Sequence, residues 1–295
     1  RSIYCVNEGG PANALQSVET APADVRDPRF FGYRAHLLLA VGRVDEARAD
    51  IERALQLAPN NADALGLQAI IAVVQNDRDR ALAIAEKNVA ANPASATARI
   101  ALSYAQQSRF DLPGARASVE KAVELDPKNA LAFARLAELN SSFGALDAAF
   151  AAAQKAVALD PNLARTQTVL GFAYLVQVKT AQARETFGKA IALDQGDPLP
   201  RLGLGLAKIR DGRLEEGGRD IEIAASLDPG NSLVRSYLGK VYYEEKRFPR
   251  DEREFKVAKE LDPKDPTPHF YDAIVKQTTN RPVEALQGME TAIAL

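Results

Sequence analysis

Across residues 164–194, ARTQTVLGFAYLVQVKTAQARETFGKAIALD, apolar positions recur at three- and four-residue spacing in two runs separated by the polar tract VKT. That spacing predicts two short helices, because residues three and four apart share one helix face. Thr180 is the expected N-cap of the second helix. In most units the phrase Leu-Asp-Pro follows and predicts a stop: proline lacks a donor and disfavours helical backbone in the residue before it.

The two-run pattern repeats with a fixed period. Pro59, Pro93, Pro127, Pro161, Pro229 and Pro263 are 34 residues apart, with one gap of 68. Gln195 stands on the empty tick, where QGDPLP is expected to supply the same stop through Gly196, Pro198 and Pro200, so the missing proline marks nothing functional. Ala47, Ala81, Ala115, Ala149, Ala183 and Ala285 form a second ladder, with Gly217 and Asp251 on its two odd rungs. A third runs through Ala54, Ala122, Ala156, Ala190, Ala224, Ala258 and Ala292, with Asn88 as the exception. Small residues at such regular places mark close helix crossings. A unit this short cannot bury its own apolar face and must stack on its neighbours.

Leu170, Gly171, Tyr174, Ala183, Phe187 and Ala190 make the unit at Ala164 resemble a tetratricopeptide repeat. The unit at Ser232 resembles it through Leu238, Gly239, Tyr242, Phe255, Ala258 and Pro263, with Asp251 replacing the small residue. The resemblance covers Pro28 to the C-terminus. It implies an all-α, right-handed superhelical solenoid of helix-turn-helix units at 28–61, 62–95, 96–129, 130–163, 164–197, 198–231, 232–265 and an incomplete 266–295. Residues 1–27 read as the remnant of a preceding repeat. The chain starts at Arg1 and ends in an expected helix, so it reads as a piece of a longer protein.

Composition narrows the chemistry. Charged residues make up 26% and aromatics 6%, without Trp, a helix-forming palette. A net charge of −2 argues against general attraction to nucleic acid or anionic lipid. The single cysteine, Cys5, excludes an internal disulfide framework and a cysteine-based zinc site. No apolar run reaches the ~18 residues of a membrane span. His36 and His269 lie in the first and last units, so no metal-ligand spacing can be drawn, and a solenoid keeps distant units from forming a catalytic triad. Gly203 and Gly205 fall inside a predicted first helix, where they read as packing residues rather than a phosphate loop. Neither catalytic nor metal-binding residues are expected, and no cofactor.

What remains is a partner surface. The resemblance implies a concave groove lined by first helices, and helical geometry selects the second, fifth, ninth, twelfth and thirteenth places of each unit. The ninth place reads His36, Ile70, Tyr104, Glu138, Phe172, Leu206, Lys240 and Ile274. Ile70, Ile100, Tyr104, Phe172, Leu206 and Phe270 make an apolar strip, Tyr243 joins from the twelfth place, and Lys240 adds a charge. Such a strip either packs against neighbouring helices or binds. The expected function is a non-enzymatic scaffold that binds an apolar or amphipathic protein segment; alternatives are a self-associating array (a homo-oligomer) and an assembly adaptor of a bacterial cell-envelope or secretion system. No ninth place carries Asn, unlike the relatives that clamp acidic C-terminal tails, and the sixth places lack the asparagine ladder of the sugar-transferase branch.

Residues 265–286 add one resemblance. Pro266, Thr267, Pro268, Phe270, Tyr271, Asp272, Ala273, Asn280, Arg281 and Pro282, with His269 in place of an expected Trp, are similar to a stretch in long bacterial repeat proteins. Those join a FecR-like domain, a tetratricopeptide array and an outer-membrane-like C-terminal region. This implies the periplasmic side of a bacterial envelope, with the cytoplasm as alternative.

Overall fold

The computed structural model describes residues 14–21 and 25–295; Cys5 and most of the stretch read as a repeat remnant lie outside them. Among the described residues every regular element is helical. After helical residues 14–19 come α1 (Pro28–Ala40), α2 (Val44–Leu57), α3 (Ala62–Val74), α4 (Arg78–Ala91), α5 (Ala96–Ser108), α6 (Leu112–Leu125), α7 (Ala130–Ser142) and α8 (Leu146–Leu159). They continue with α9 (Ala164–Val176), α10 (Thr180–Leu193), α11 (Pro198–Arg210), α12 (Leu214–Leu227), α13 (Ser232–Glu244), α14 (Arg250–Leu261), α15 (Pro266–Thr278) and α16 (Pro282–Ala294). Odd-numbered helices open the repeats and even-numbered ones close them. Consecutive helices pack pairwise, giving an all-α repeat solenoid whose described residues divide into two compact segments, one up to Ala173 and one from Tyr174 to Leu295.

Local chemistry sets the helix boundaries. The residue before each first helix is a side-chain N-cap in seven of eight repeats: Asp27, Asn61, Ser95, Asn129, Asp197, Asn231 and Asp265 each accept from a first-turn amide. Leu163 stands at the eighth, where the Thr166 hydroxyl donates to the Leu163 carbonyl at 2.8 Å. The hairpin turn is also uniform. Residues 42, 76, 110, 144, 178, 212, 246 and 280 all have φ between 57° and 79°, and the next amide donates back across the helix end, as Arg43 does to the Leu38 carbonyl. This is the Schellman closure, which favours Gly or Asn at its left-handed position. Gly42, Gly144, Gly212, Asn76 and Asn280 fit; Phe110, Val178 and Lys246 hold the same backbone at a steric cost.

Two expectations about turns need correcting. Thr180 is the first helical residue of α10, whose cap position belongs to Lys179 and makes no side-chain cap bond. At the missing proline, the Asp194 carboxylate accepts from the Gly196 amide at 2.9 Å and ends α10 locally. Pro198 and Pro200 do not stop that helix. They sit in the first turn of α11, where their missing donors are not needed.

The alanine ladders are the helix crossings. Ala47, Ala54, Ala81, Ala115, Ala122, Ala156, Ala183 and Ala190 are fully or almost fully buried. The end of the Phe187 ring fills the space beside Gly203, where a Cβ would overlap it, and an edge of the Phe255 ring lies 2.8–3.0 Å from where a Cβ on Gly239 would be. The odd rungs differ from one another. Gly217 faces Gly205 so closely that a Cβ on Gly217 would sit 2.5 Å from the Gly205 carbonyl oxygen. Asn88, wholly buried, donates to the Ala62 carbonyl at 2.8 Å and accepts from Asn92, which also donates to the Asn60 carbonyl. Asp251 is buried with neither carboxylate oxygen in a well-formed hydrogen bond.

Candidate partner-binding surface

The five places selected by helical geometry separate once burial is known. The fifth place is an interface between repeats: Gly32, Gly66, Ala134, Thr168, Leu202 and Ser236 are all buried. Ile100 is half-buried there and packs against the cluster of Val119, Ala132 and Leu139, while Phe270, in the last first helix, is 42% exposed. Expecting a fifth place open to a ligand was therefore wrong in the interior repeats. The cause is helix phase: this place points at the neighbouring first helix. The ninth place behaves otherwise. Ile70, Tyr104, Glu138, Phe172, Leu206 and Lys240 are each half-buried, and His36 and Ile274 are exposed. One accessible side chain per repeat thus projects from the first helices, mostly apolar.

In the N-terminal segment the apolar line is interrupted by a polar network that the sequence reading did not assemble. Arg135 on α7 is buried at 3% exposure. Its guanidinium donates to the Ser103 hydroxyl (3.0 Å) and carbonyl (3.2 Å), to the Gln107 amide oxygen (2.5 Å) and to Glu138 (3.0 Å). It also lies 3.8 Å from the centroid of the Tyr104 ring. Glu138 holds Arg165 of α9 at 2.6 Å, and Arg165 donates to the Tyr104 hydroxyl at 3.4 Å. Three successive first helices, α5, α7 and α9, are thereby tied through charge-assisted bonds. Burial, reinforced by the Glu138 charge, pushes the Tyr104 phenol above its ordinary pKa, against the opposing pull of Arg165 and Arg135. Tyr104 is therefore a fixed ring with one face covered. The signal was present in the sequence as Arg135 at a sixth place and Glu138 three residues on, yet only packing brings Ser103 and Gln107 to them.

In the C-terminal segment the structure gathers Lys240, Tyr243 and Phe270 around residues on α13 and α15. Tyr237 and Tyr271 pair at 5.5 Å between ring centroids, Phe270 meets Tyr271 edge-on at 5.6 Å, and the Lys240 ammonium lies 5.6 Å from the Tyr271 ring. The Tyr271 phenol is pushed well up by burial and by its hydrogen bond to Tyr237. Lys240 pairs with Glu244 at 3.5 Å, and the Tyr243 hydroxyl bonds to Thr278. Tyr243 also meets the exposed Phe248 ring at 6.0 Å. Leu206 stands apart, leaning on the Leu202, Ile221 and Leu238 core. Tyr237 and Tyr271 thus join Phe270 in an aromatic patch, although neither tyrosine was among the groove residues selected from sequence. Among the described residues, no helix is long and apolar enough to cross a membrane.

Family models described as tetratricopeptide repeat match residues 28–61 and 202–266. The chain carries tetratricopeptide repeats in these stretches, and solved structures extend the likeness of fold along it. The Cut9–Hcn1 hetero-tetramer of the APC/C aligns with a TM-score of 0.77 at 19% identity, over 99% of this chain and 59% of that one. The human IFIT1 dimer with PPP-AAAA aligns at 0.63 and 16% identity, over 99% of this chain and 81% of that one. TTC0263, a thermophilic tetratricopeptide-repeat protein of Thermus thermophilus, aligns at 0.55 and 19%, over 65% of this chain and all of that one. The chain spans 59% of the length of the Cut9–Hcn1 chain it resembles. No curated protein sequence matches it.

Proposed function

From the tetratricopeptide repeats the chain carries, we propose that it is a protein-interaction scaffold whose first-helix face holds an apolar or amphipathic segment of a partner protein. One observation carries this reading: the ninth place presents Ile70, Tyr104 and Phe172 in the N-terminal segment and Leu206 in the C-terminal one, each half-buried, while the fifth place beside it is packed in the interior repeats of both. Large apolar side chains repeated at one accessible place offer anchors at regular spacing, as helix-in-groove recognition requires. Ile100 flanks the proposed anchors of the N-terminal segment; in the C-terminal segment Lys240, Tyr243 and Phe270 join Leu206 in the proposed surface. The likeness of residues 265–286 to bacterial envelope proteins supports an assembly role in that compartment. The balance of charge, net −2, favours a protein partner over nucleic acid.

The test is selection of peptides from a displayed library on the wild-type chain, followed by affinities for Ile70→Ser and Leu206→Ser separately. Full burial of such a side chain is worth ~1.5–3 kcal/mol. A half-covered one has about 1 kcal/mol left to gain, or roughly fivefold in Kd. Fivefold or greater losses with an unchanged melting temperature support the proposal. Unchanged affinities refute it, and a mass that rises with concentration while no peptide is selected favours self-association.

A further inference from the structure

Asp251 has no counterpart among the other seven rungs of its ladder, which hold alanine or glycine. It is the second residue of α14, and its side chain enters the space where a small residue lets two helices of a repeat meet. Its exposure is 1%, and neither carboxylate oxygen makes a well-formed hydrogen bond or meets a cationic side chain; only the amides of Asp251 and Glu252 lie near. In the preceding repeat the same rung, Gly217, lies against the Gly205 carbonyl and Ile209. The corresponding residues of α13 are Gly239 and Tyr243.

The groups around it do not favour a charge. Glu252 adjoins it on α14, and Asp272 approaches from α15. Asp272 is held by Lys259 of α14 and, at 3.0 Å, by Lys276 of α15, so neither ammonium is left to neutralise Asp251. From α13 the titratable side chain at the matching place is Tyr243, whose hydroxyl is engaged by Thr278. Only the first-turn amides of α14 act the other way, and burial outweighs them, raising the carboxyl above its ordinary pKa.

We propose that Asp251 is a proton-operated latch on the α13–α14 crossing, closed when its carboxyl is neutral and loosened when it is charged. A neutral carboxyl is a modest misfit in place of alanine. An ionised one is a buried charge without a partner, which is relieved by opening the crossing to water. The direction follows from linkage. Because folding raises this pKa, the stabilising contribution is complete below the ordinary value of 3.8 and is lost as pH rises through the folded-state value. The last two repeats therefore loosen towards neutral pH and tighten in acid.

The experiment is amide hydrogen exchange on α13 and α14, corrected for intrinsic rates, from pH 4.5 to 8 on the wild type, Asp251→Ala and Asp251→Asn. Asparagine keeps the shape without the charge, and alanine restores the small residue. Wild-type protection should fall with pH by up to tenfold per unit, the limit for one proton. Both variants should be flat over that range, and the alanine variant better protected than wild type at pH 8. A wild-type profile parallel to that of either variant overturns the latch, as does an alanine variant less protected than wild type at pH 8.

Discussion

Gly217→Ala separates reasoning from repeat pattern and reasoning from packing, because the two disagree in sign. Six other repeats carry alanine at this rung, and alanine is the better helix former by ~0.8–1.0 kcal/mol. Pattern alone predicts a stabilised protein. In the structure, however, the new Cβ would fall 2.5 Å from the Gly205 carbonyl oxygen, 2.5 Å from Ile209 Cγ1 and 3.1 Å from the Ile209 amide nitrogen. Two of these are backbone atoms of α11 and cannot rotate away, so the helices must separate. Overpacking of this kind costs ~1–3 kcal/mol, with the fixed backbone placing it near the upper end. Subtracting the propensity gain leaves a net loss of about 2 kcal/mol. At ~2–4 °C per kcal/mol the melting temperature should drop by about 4–8 °C. Gly188→Ala is the control: this glycine is exposed within α10 and a Cβ there meets nothing within 4 Å. It should gain the propensity term alone, about 1 kcal/mol. Thermal unfolding by circular dichroism, with hydrogen exchange on α11 and α12 to localise the effect, measures both variants. Repeat arrays need not melt in one step, hence the local probe. A Gly217→Ala protein that melts at or above the wild type refutes the close crossing.

Two further substitutions probe polar groups in the N-terminal segment. Asn88→Ala also restores the pattern of its ladder, yet it should destabilise by ~1–3 kcal/mol, because the Ala62 carbonyl loses the side-chain donor and the Asn92 amide one of its acceptors; urea unfolding that shows no loss would mean water replaces the asparagine. Arg135→Met should cost about 3 kcal/mol, the low end for breaking a buried pair, since Glu138 keeps Arg165; a loss below 1 kcal/mol in the same assay would show that the network contributes register rather than stability.

Sequence by itself determined the 34-residue period and the alternation of short helices that follows from it, because these rest on short-range chemistry. Apolar spacing defines a helix face, Asp, Asn or Ser caps a first turn, and Gly or Asn eases a left-handed turn, all within a few residues of one another. The Gly239–Phe255 contact was legible for the same reason, as two places of one signature, whereas Gly203 was legible only as a packing residue and its partner Phe187 lies in the preceding repeat. The three odd rungs were equally visible as exceptions, but their meaning was not. Gly217 is required by a second glycine on the facing helix, Asn88 is satisfied by a carbonyl 26 residues away, and Asp251 finds no partner across the crossing. The candidate surface divides along the same line. Helical phase indicated which places could face a ligand, while only stacking decided that the fifth is sealed and the ninth half open. Likewise Arg135 and Tyr104 meet because two first helices lie side by side, a relation set by the whole repeat interface. A pattern of residue types records which side chains can share a face; the distance between two backbones, and whether a buried polar atom finds a partner across it, is fixed only when the repeats pack.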